Sequence, residues 1–223
     1  MNSFRKILTN GRMAVIIVIA ILLIDQILKI WVKTNMHLHE CITITDWFKI
    51  CFIENKGMAF GMEIGSKVVL SLFRIVAVSV IGYYIYLQVK QKARTGYIVC
   101  LAMVMAGAIG NIIDCMFYGL IFNASSEFYT SYFVPFGEGY APFLMGKVVD
   151  MFYFPLIVST WPDWMPMVGG EDCVFFSPIF NFADASISVG VVLLLLFYRK
   201  ELSKLSLKKE DKSLSVDEKE DAE

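Results

Sequence analysis

The sequence predicts an all-α membrane protein: four transmembrane helices, a small extracytoplasmic β-sheet and an enlarged extracytoplasmic lid. Three observations carry this. Of 223 residues, 57% are hydrophobic and only 18% charged, and the mean hydropathy is +0.61, outside the usual range of soluble domains. Four apolar runs have the length of membrane spans. The basic residues gather at alternate ends of those runs, as the positive-inside rule requires.

The first run extends from Met13 to about Val32 behind Arg5, Lys6 and Arg12. It passes Asp25 and continues to Trp31 without a small-residue cleavage site, so it reads as a span rather than a removable signal peptide. The second is Val68 to Val89, the third Tyr97 to Ile121 and the fourth Phe180 to Tyr198. Residues 1–12, the turn holding Lys90, Lys92 and Arg94, and the exit at Arg199 and Lys200 all fall on one side, the cytoplasmic one. Both termini are therefore expected in the cytoplasm of a bacterial cell, with residues 13–198 forming the membrane domain.

Segments 33–67 and 122–179 then lie outside. The first alternates β-prone residues over Ile42 to Thr45 and Phe48 to Ile53, which predicts a small sheet on the membrane surface. The second is rich in Phe, Tyr, Trp, Pro and Gly and suits an interfacial lid. Residues 201–223 mix Lys with Glu and Asp and read as a solvated or disordered tail.

Several chemistries have little support. Cys41, Cys51, Cys100, Cys115 and Cys173 include no C-x-x-C pair, and His37 and His39 lack ligand-spaced companions, so neither a metal nor a cofactor is expected. The cysteines read as free or structural thiols that sequence cannot pair. The net charge of -1 and the placement of basic residues give no support for nucleic-acid binding.

Ionisable groups inside membrane spans are costly, about 2.5–3.5 kcal/mol at a helix centre on insertion scales, so each demands a reason. Asp25 and Lys29 stand four apart, on one helical face, and can neutralise each other. Asp114 lies about 17 residues into the third span, roughly 25 Å from its cytoplasmic start, near the outer interface. Asp184 enters the fourth span from that side. Asp150 ends an apolar stretch expected to dip back toward the membrane. Any two of these three carboxylates can form a proton-sharing pair of the aspartyl-protease kind. Plain helix-packing acids and a proton relay in a small ion-coupled transporter are the alternatives, although no internal repeat supports a transporter. A non-enzymatic assembly factor would leave the outer-rim acids unexplained.

Four motifs stand in order on this scaffold: Asn55 to Gly61 (NKGMAFG), Gly107 to Asp114 (GAIGNIID), Val148 to Asp150 (VVD) and Phe180 to Ala185 (FNFADA). With Asp25 to Lys29 (DQILK) they resemble the lipoprotein signal peptidase family, signal peptidase II, over residues 13–198. The resemblance implies an aspartyl endopeptidase of the bacterial inner membrane. Its expected substrate is a prolipoprotein bearing a diacylglyceryl-cysteine, cut on the amino side of that cysteine. The resemblance, and not the spacing, selects Asp150 and Asp184 as the catalytic pair. It places Asn55, Gly57, Asn111 and Asn181 around the site, with Asp25, Lys29 and Asp114 in support.

Each of these has a plainer reading. The asparagines can satisfy backbone at helix ends and turns, and Gly57 and Gly61 can serve a turn alone. Two departures from the family pattern stand out. Members commonly carry Arg directly after the GNxxD aspartate, where this chain has Cys115; Arg74, another basic group or none takes its place. Residues 119–147 and 155–178 resemble insertions that enlarge the lid. Their aromatics Phe128, Tyr129, Tyr132, Phe133, Trp161 and Trp164 suit lipid headgroups, the acyl chains of a substrate, or anchoring alone.

Overall fold

The computed structural model describes residues 2–55, 64–160, 164, 167, 170, 172–175 and 178–203. Helix α1 (Asn2–Asn35) leads to a hairpin of β1 (Cys41–Thr45) and β2 (Phe48–Asn55), followed by α2 (Ile64–Lys90) and α3 (Thr95–Ile121). Strands β3 (Val148–Tyr153), β4 (Ile157–Thr160), β5 (Asp172–Phe175) and β6 (Ile179–Phe180) precede α4 (Phe182–Phe197). Within α3 the ladder slips into a π turn over Asp114–Tyr118, a widening frequent at functional sites.

Three helices carry apolar stretches long enough to cross a membrane: Asn10–Asn35, Lys67–Lys90 and Thr95–Ile121. The fourth is apolar but shorter than its predicted Phe180 to Tyr198, because Phe180 belongs to β6 and Asn181 caps the helix. At 1.5 Å per residue its length is about 24 Å. This is a multi-pass membrane protein.

Helix α3 is the axis of the bundle. Of its span 61% is buried, against 17% for α1 and 11% for α2. The outer helices instead expose Ile16, Ile27, Val69 and Phe73, the faces that lipid covers. In lipid, close packing rather than water exclusion holds helices together, and two glycines make it possible. A Cβ on Gly107 would collide with the carbonyl oxygen of Ala183 in α4, and one on Gly110 would stand 2.7 Å from Asp25 Oδ2 in α1. At the sheet end, Val32, Met36, Phe52, Tyr118, Phe122 and Val149 form a buried cluster tying α1, α3 and the sheet together. Each such side chain contributes about 1.5–3 kcal/mol when withdrawn from water.

The sheet is larger than residues 33–67 alone predict. Its order is β1-β2-β3-β6, all antiparallel, so half its strands come from the second inter-helix segment. Asp150 accordingly sits within a strand, opposite Ile53, and not at the end of its apolar stretch. The edge of β2 offers backbone groups that the apolar residues of β3 satisfy. A separate pair, β4 with β5, forms within residues 155–178.

The reading of the cysteines is corrected in part. Cys41 and Cys51 face each other across β1 and β2 and form a disulfide, a pairing created by the hairpin register. Cys100 and Cys115 are free and buried.

Candidate active site

The site forms where α4 begins. Asn181 is the N-cap: its side-chain oxygen accepts the backbone N–H of Asp184 at 2.9 Å. This satisfies one of the amides that every helix start leaves open. It also sets Asp184 in the first turn, where the helix dipole favours negative charge. The other end of the Asn181 amide donates from Nδ2 to Asp150 Oδ1 at 2.6 Å and to Asn111 Oδ1 at 3.1 Å. Asn111 donates from Nδ2 to Asp184 Oδ1 at 2.7 Å. Two asparagines thus join two carboxylates, one from a strand and one from a helix.

Behind them lies a buried ion cluster. Lys29 Nζ is 2.9 Å from Asp25 Oδ2 and 2.8 Å from Asp114 Oδ2, all three side chains being fully buried. The same ammonium donates to Asn111 Oδ1 at 2.9 Å. Asp25 Oδ1 accepts the backbone N–H of Ala183 at 2.9 Å, which docks the start of α4 onto α1. Gln26 Nε2 donates to Asp114 Oδ1 at 3.0 Å and to Asp25 Oδ2 at 3.1 Å. Asp114 Oδ2 further accepts Val149 N–H from β3 at 3.3 Å. Both Asp114 oxygens are thus engaged by Lys29, Gln26 and the Val149 amide, whereas Asp184 is held by Asn111.

Asp150 is buried, with 3% of its surface exposed, whereas Asp184 and Asn111 are half-buried and open to the surface. Burial, and next the charge of Asp184, push the Asp150 carboxyl up to about 7, against the opposing hydrogen bonds of Asn55 and Asn181. A carboxyl in this position holds a proton near neutral pH. Asn55 closes β2 opposite Val148. Gly57, Gly61 and Trp161 lie outside the described residues. Arg74 of α2 donates from Nη1 to Cys115 Sγ at 3.6 Å, so a guanidinium reaches residue 115 from a neighbouring helix.

Sequence reasoning gave no role to Gln26 or to a second ion cluster of Lys33, Glu54 and Lys147. A signal was available: Asp25, Lys29 and Lys33 recur every four residues, with Gln26 beside them, and so draw one polar stripe down an otherwise apolar helix.

The geometry agrees with comparison to known proteins. The family model described as Signal peptidase (SPase) II matches residues 17–199. A lipoprotein signal peptidase of Porphyromonas gingivalis (strain ATCC 33277) is 48% identical over 206 residues, covering 92% of this chain and 91% of that one. The chain belongs to the signal peptidase II family. It is an aspartic endopeptidase. A lipoprotein signal peptidase of Amoebophilus asiaticus is 36% identical, covering 80% of this chain and 74% of its own. A solved bacterial membrane enzyme shares the fold of this signal peptidase II at 21% identity, with a TM-score of 0.56 over 86% of this chain and 90% of the other.

Proposed function

We propose that this signal peptidase II removes the signal peptide from diacylglyceryl-modified prolipoproteins, cleaving on the amino side of the lipidated cysteine, with Asp150 and Asp184 as the catalytic pair. The observation that carries the reading is the amide bridge. Asn181 holds Asp150 and caps the helix of Asp184, while Asn111 holds Asp184 itself.

Two neighbouring carboxylates in a poorly solvated site share one proton. The raised affinity of Asp150 for that proton makes it the acid, leaving Asp184 as the base. Asp184 takes a proton from water, whose oxygen attacks the scissile carbonyl carbon. Asp150 gives its proton to the carbonyl oxygen, producing a tetrahedral diol. Collapse breaks the carbon–nitrogen bond: Asp184 returns its proton to the leaving nitrogen and Asp150 recovers one from a diol hydroxyl. No covalent enzyme intermediate is required. Asn55 and Asn111 orient carboxylates and substrate backbone, and Asp25, Lys29 and Asp114 keep α1, α3 and α4 in register beneath them. Gly57, outside the described residues, keeps the substrate-binding role that the family resemblance gives it.

All four helices cross the inner membrane in this reading, with both termini cytoplasmic and the sheet outside. What supports that orientation is the basic residues at the helix ends remote from the sheet. The shorter α4 reaches the outer side through Asn181 and β6. Membrane lipids flank the site, and the lipidated cysteine presents its peptide bond at the depth of the helix ends.

The test is cleavage by purified protein of a diacylglyceryl-modified prolipoprotein beside its unlipidated form. Cutting of the lipidated substrate alone supports the assignment. No cutting by folded protein, or equal cutting of both forms, overturns it.

A further inference from the structure

Segment 119–147, the last turn of α3 and the connection from it to β3, is not a loose cover. We infer that it works as a buttress that positions Asp150, through a buried charge cluster centred on Glu54, an inference resting on the catalytic assignment above.

Glu54 belongs to β2, and its side chain is 3% exposed. Its Oε1 accepts from Lys33 Nζ at 2.6 Å and from Ser125 Oγ at 2.7 Å, and its Oε2 accepts from Lys147 Nζ at 2.6 Å. Lys33 also donates to Ser125 Oγ at 2.8 Å, closing a ring of three groups. Ser125 and Lys147 belong to the inserted segment, Lys33 to the end of α1. The segment further supplies Phe122 and Tyr140, whose ring centroids lie 5.3 Å and 5.1 Å from Lys33 Nζ. Tyr140 accepts the backbone N–H of Lys147 at 2.7 Å. Burial alone would raise the Glu54 carboxyl, but Lys33 and Lys147 outweigh it and hold the group below the usual range.

The strand geometry converts this clamp into an effect on the site. Side chains alternate across a strand. Glu54 and its partner Val149 face the inserted segment, and Asn55 and Asp150 project from the opposite face. The pairing of β2 with β3 shifts register between Ile50 and Ile53, so the three pairs at Ile53, Glu54 and Asn55 stand beyond a local break in the ladder. Lys147 immediately precedes β3, and its bond to Glu54 locks those three pairs from the side. Glu54 is therefore a positioning residue: it acts through β2 and β3 on the placement of Asn55 and Asp150.

The experiment uses full-length protein in lipid nanodiscs. Glu54→Asp keeps the charge but draws the carboxylate back by one methylene, so it cannot span both lysines at their present distances. Ser125→Ala removes one bridge and leaves both ion pairs. The readouts are thermal unfolding, kcat and KM on a diacylglyceryl prolipoprotein, and the pH titration of the protonated carboxyl band of Asp150 by infrared difference spectroscopy against Asp150→Asn. A misplacement near 1 Å costs on the order of a hundredfold in rate. We expect Glu54→Asp to lose about that much kcat with KM changed less than about twofold, a shifted Asp150 titration, and Ser125→Ala to show a smaller change of the same kind. A folded Glu54→Asp with wild-type kcat and an unmoved titration overturns the inference. If Glu54→Asp does not fold, Ser125→Ala decides in its place, and wild-type kcat with an unmoved titration in that variant overturns the inference equally. If wild type does not cleave, the catalytic assignment fails on its own, and the carboxyl titration still decides whether Glu54 positions Asp150.

Discussion

Asn181 donates to Asp150 across 2.6 Å, linking the residue that starts α4 to a strand 31 positions earlier in the chain. One amide therefore performs two tasks, capping a helix and holding a carboxylate, and the two can be separated by substitution.

Asn181→Ser keeps an oxygen able to cap the helix but removes the Nδ2 donor. Thermal stability should stay close to wild type while cleavage of a lipidated prolipoprotein falls sharply. Asn181→Ala should lose both, with the missing cap alone costing about 1 kcal/mol. Equal activity in Asn181→Ser and wild type would show that the bridge to Asp150 has no catalytic weight.

Replacing either member of the pair, Asp150→Asn or Asp184→Asn, should abolish cleavage without loss of folded protein. The two differ in stability. The Asp150 carboxyl, with an ordinary value of about 4, is pushed up to about 7 in the folded chain. Its protonated form is the one the fold favours, so its contribution is full below about pH 4 and is lost as pH rises through about 7. Melting curves between those values should fall with pH in wild type and stay flatter in Asp150→Asn.

The charge of Asp184 is the second cause, after burial, of the raised Asp150 value. In Asp184→Asn the protonated-carboxyl band of Asp150 should therefore titrate at lower pH than in wild type, read by infrared difference spectroscopy. An unchanged midpoint would mean that the two carboxylates do not share a proton.

Lys29→Met leaves Asp25 and Asp114 facing each other in a fully buried setting. Removing one partner of a buried ion pair costs about 3–5 kcal/mol, so this variant should show a large drop in melting temperature. Asp114→Asn, which retains a hydrogen-bonding group toward Lys29 and Gln26, should be milder in both stability and activity.

Arg74 of α2 rests against Cys115, one turn beyond Asn111 on α3. A thiol is a weak acceptor, so the guanidinium keeps donors for a substrate carbonyl. Arg74→Ala should lower cleavage about tenfold, and Cys115→Arg in that background should restore part of it. No loss in Arg74→Ala would leave residue 115 without a substitute cation.

Much of this site was readable in the chain because membrane physics makes its residues conspicuous. Asp25, Lys29, Asp114 and Asp184 stand out in apolar runs, and the i, i+4 spacing of the first two already pairs them. Glu54, Lys33 and Lys147 were less legible. Glu54 and Lys147 lie in polar-tolerant segments where a charged residue is unremarkable, and their burial depends on where the inserted segment folds. The disulfide of Cys41 with Cys51 was hidden for a similar reason, since pairing follows hairpin register and not composition.

Hydropathy, charge asymmetry and motif order by themselves determined a membrane protein with apolar helices, a surface sheet and a short set of candidate acids, because lipid penalises every unpaired charge and every open backbone group. Only the tertiary structure decided which acids meet which partners. Proximity across α1, α3, β3 and α4 is set by side-chain packing over long sequence distances, and that packing buried Asp114 against Lys29 while leaving Asp150 and Asp184 joined through Asn181 and Asn111.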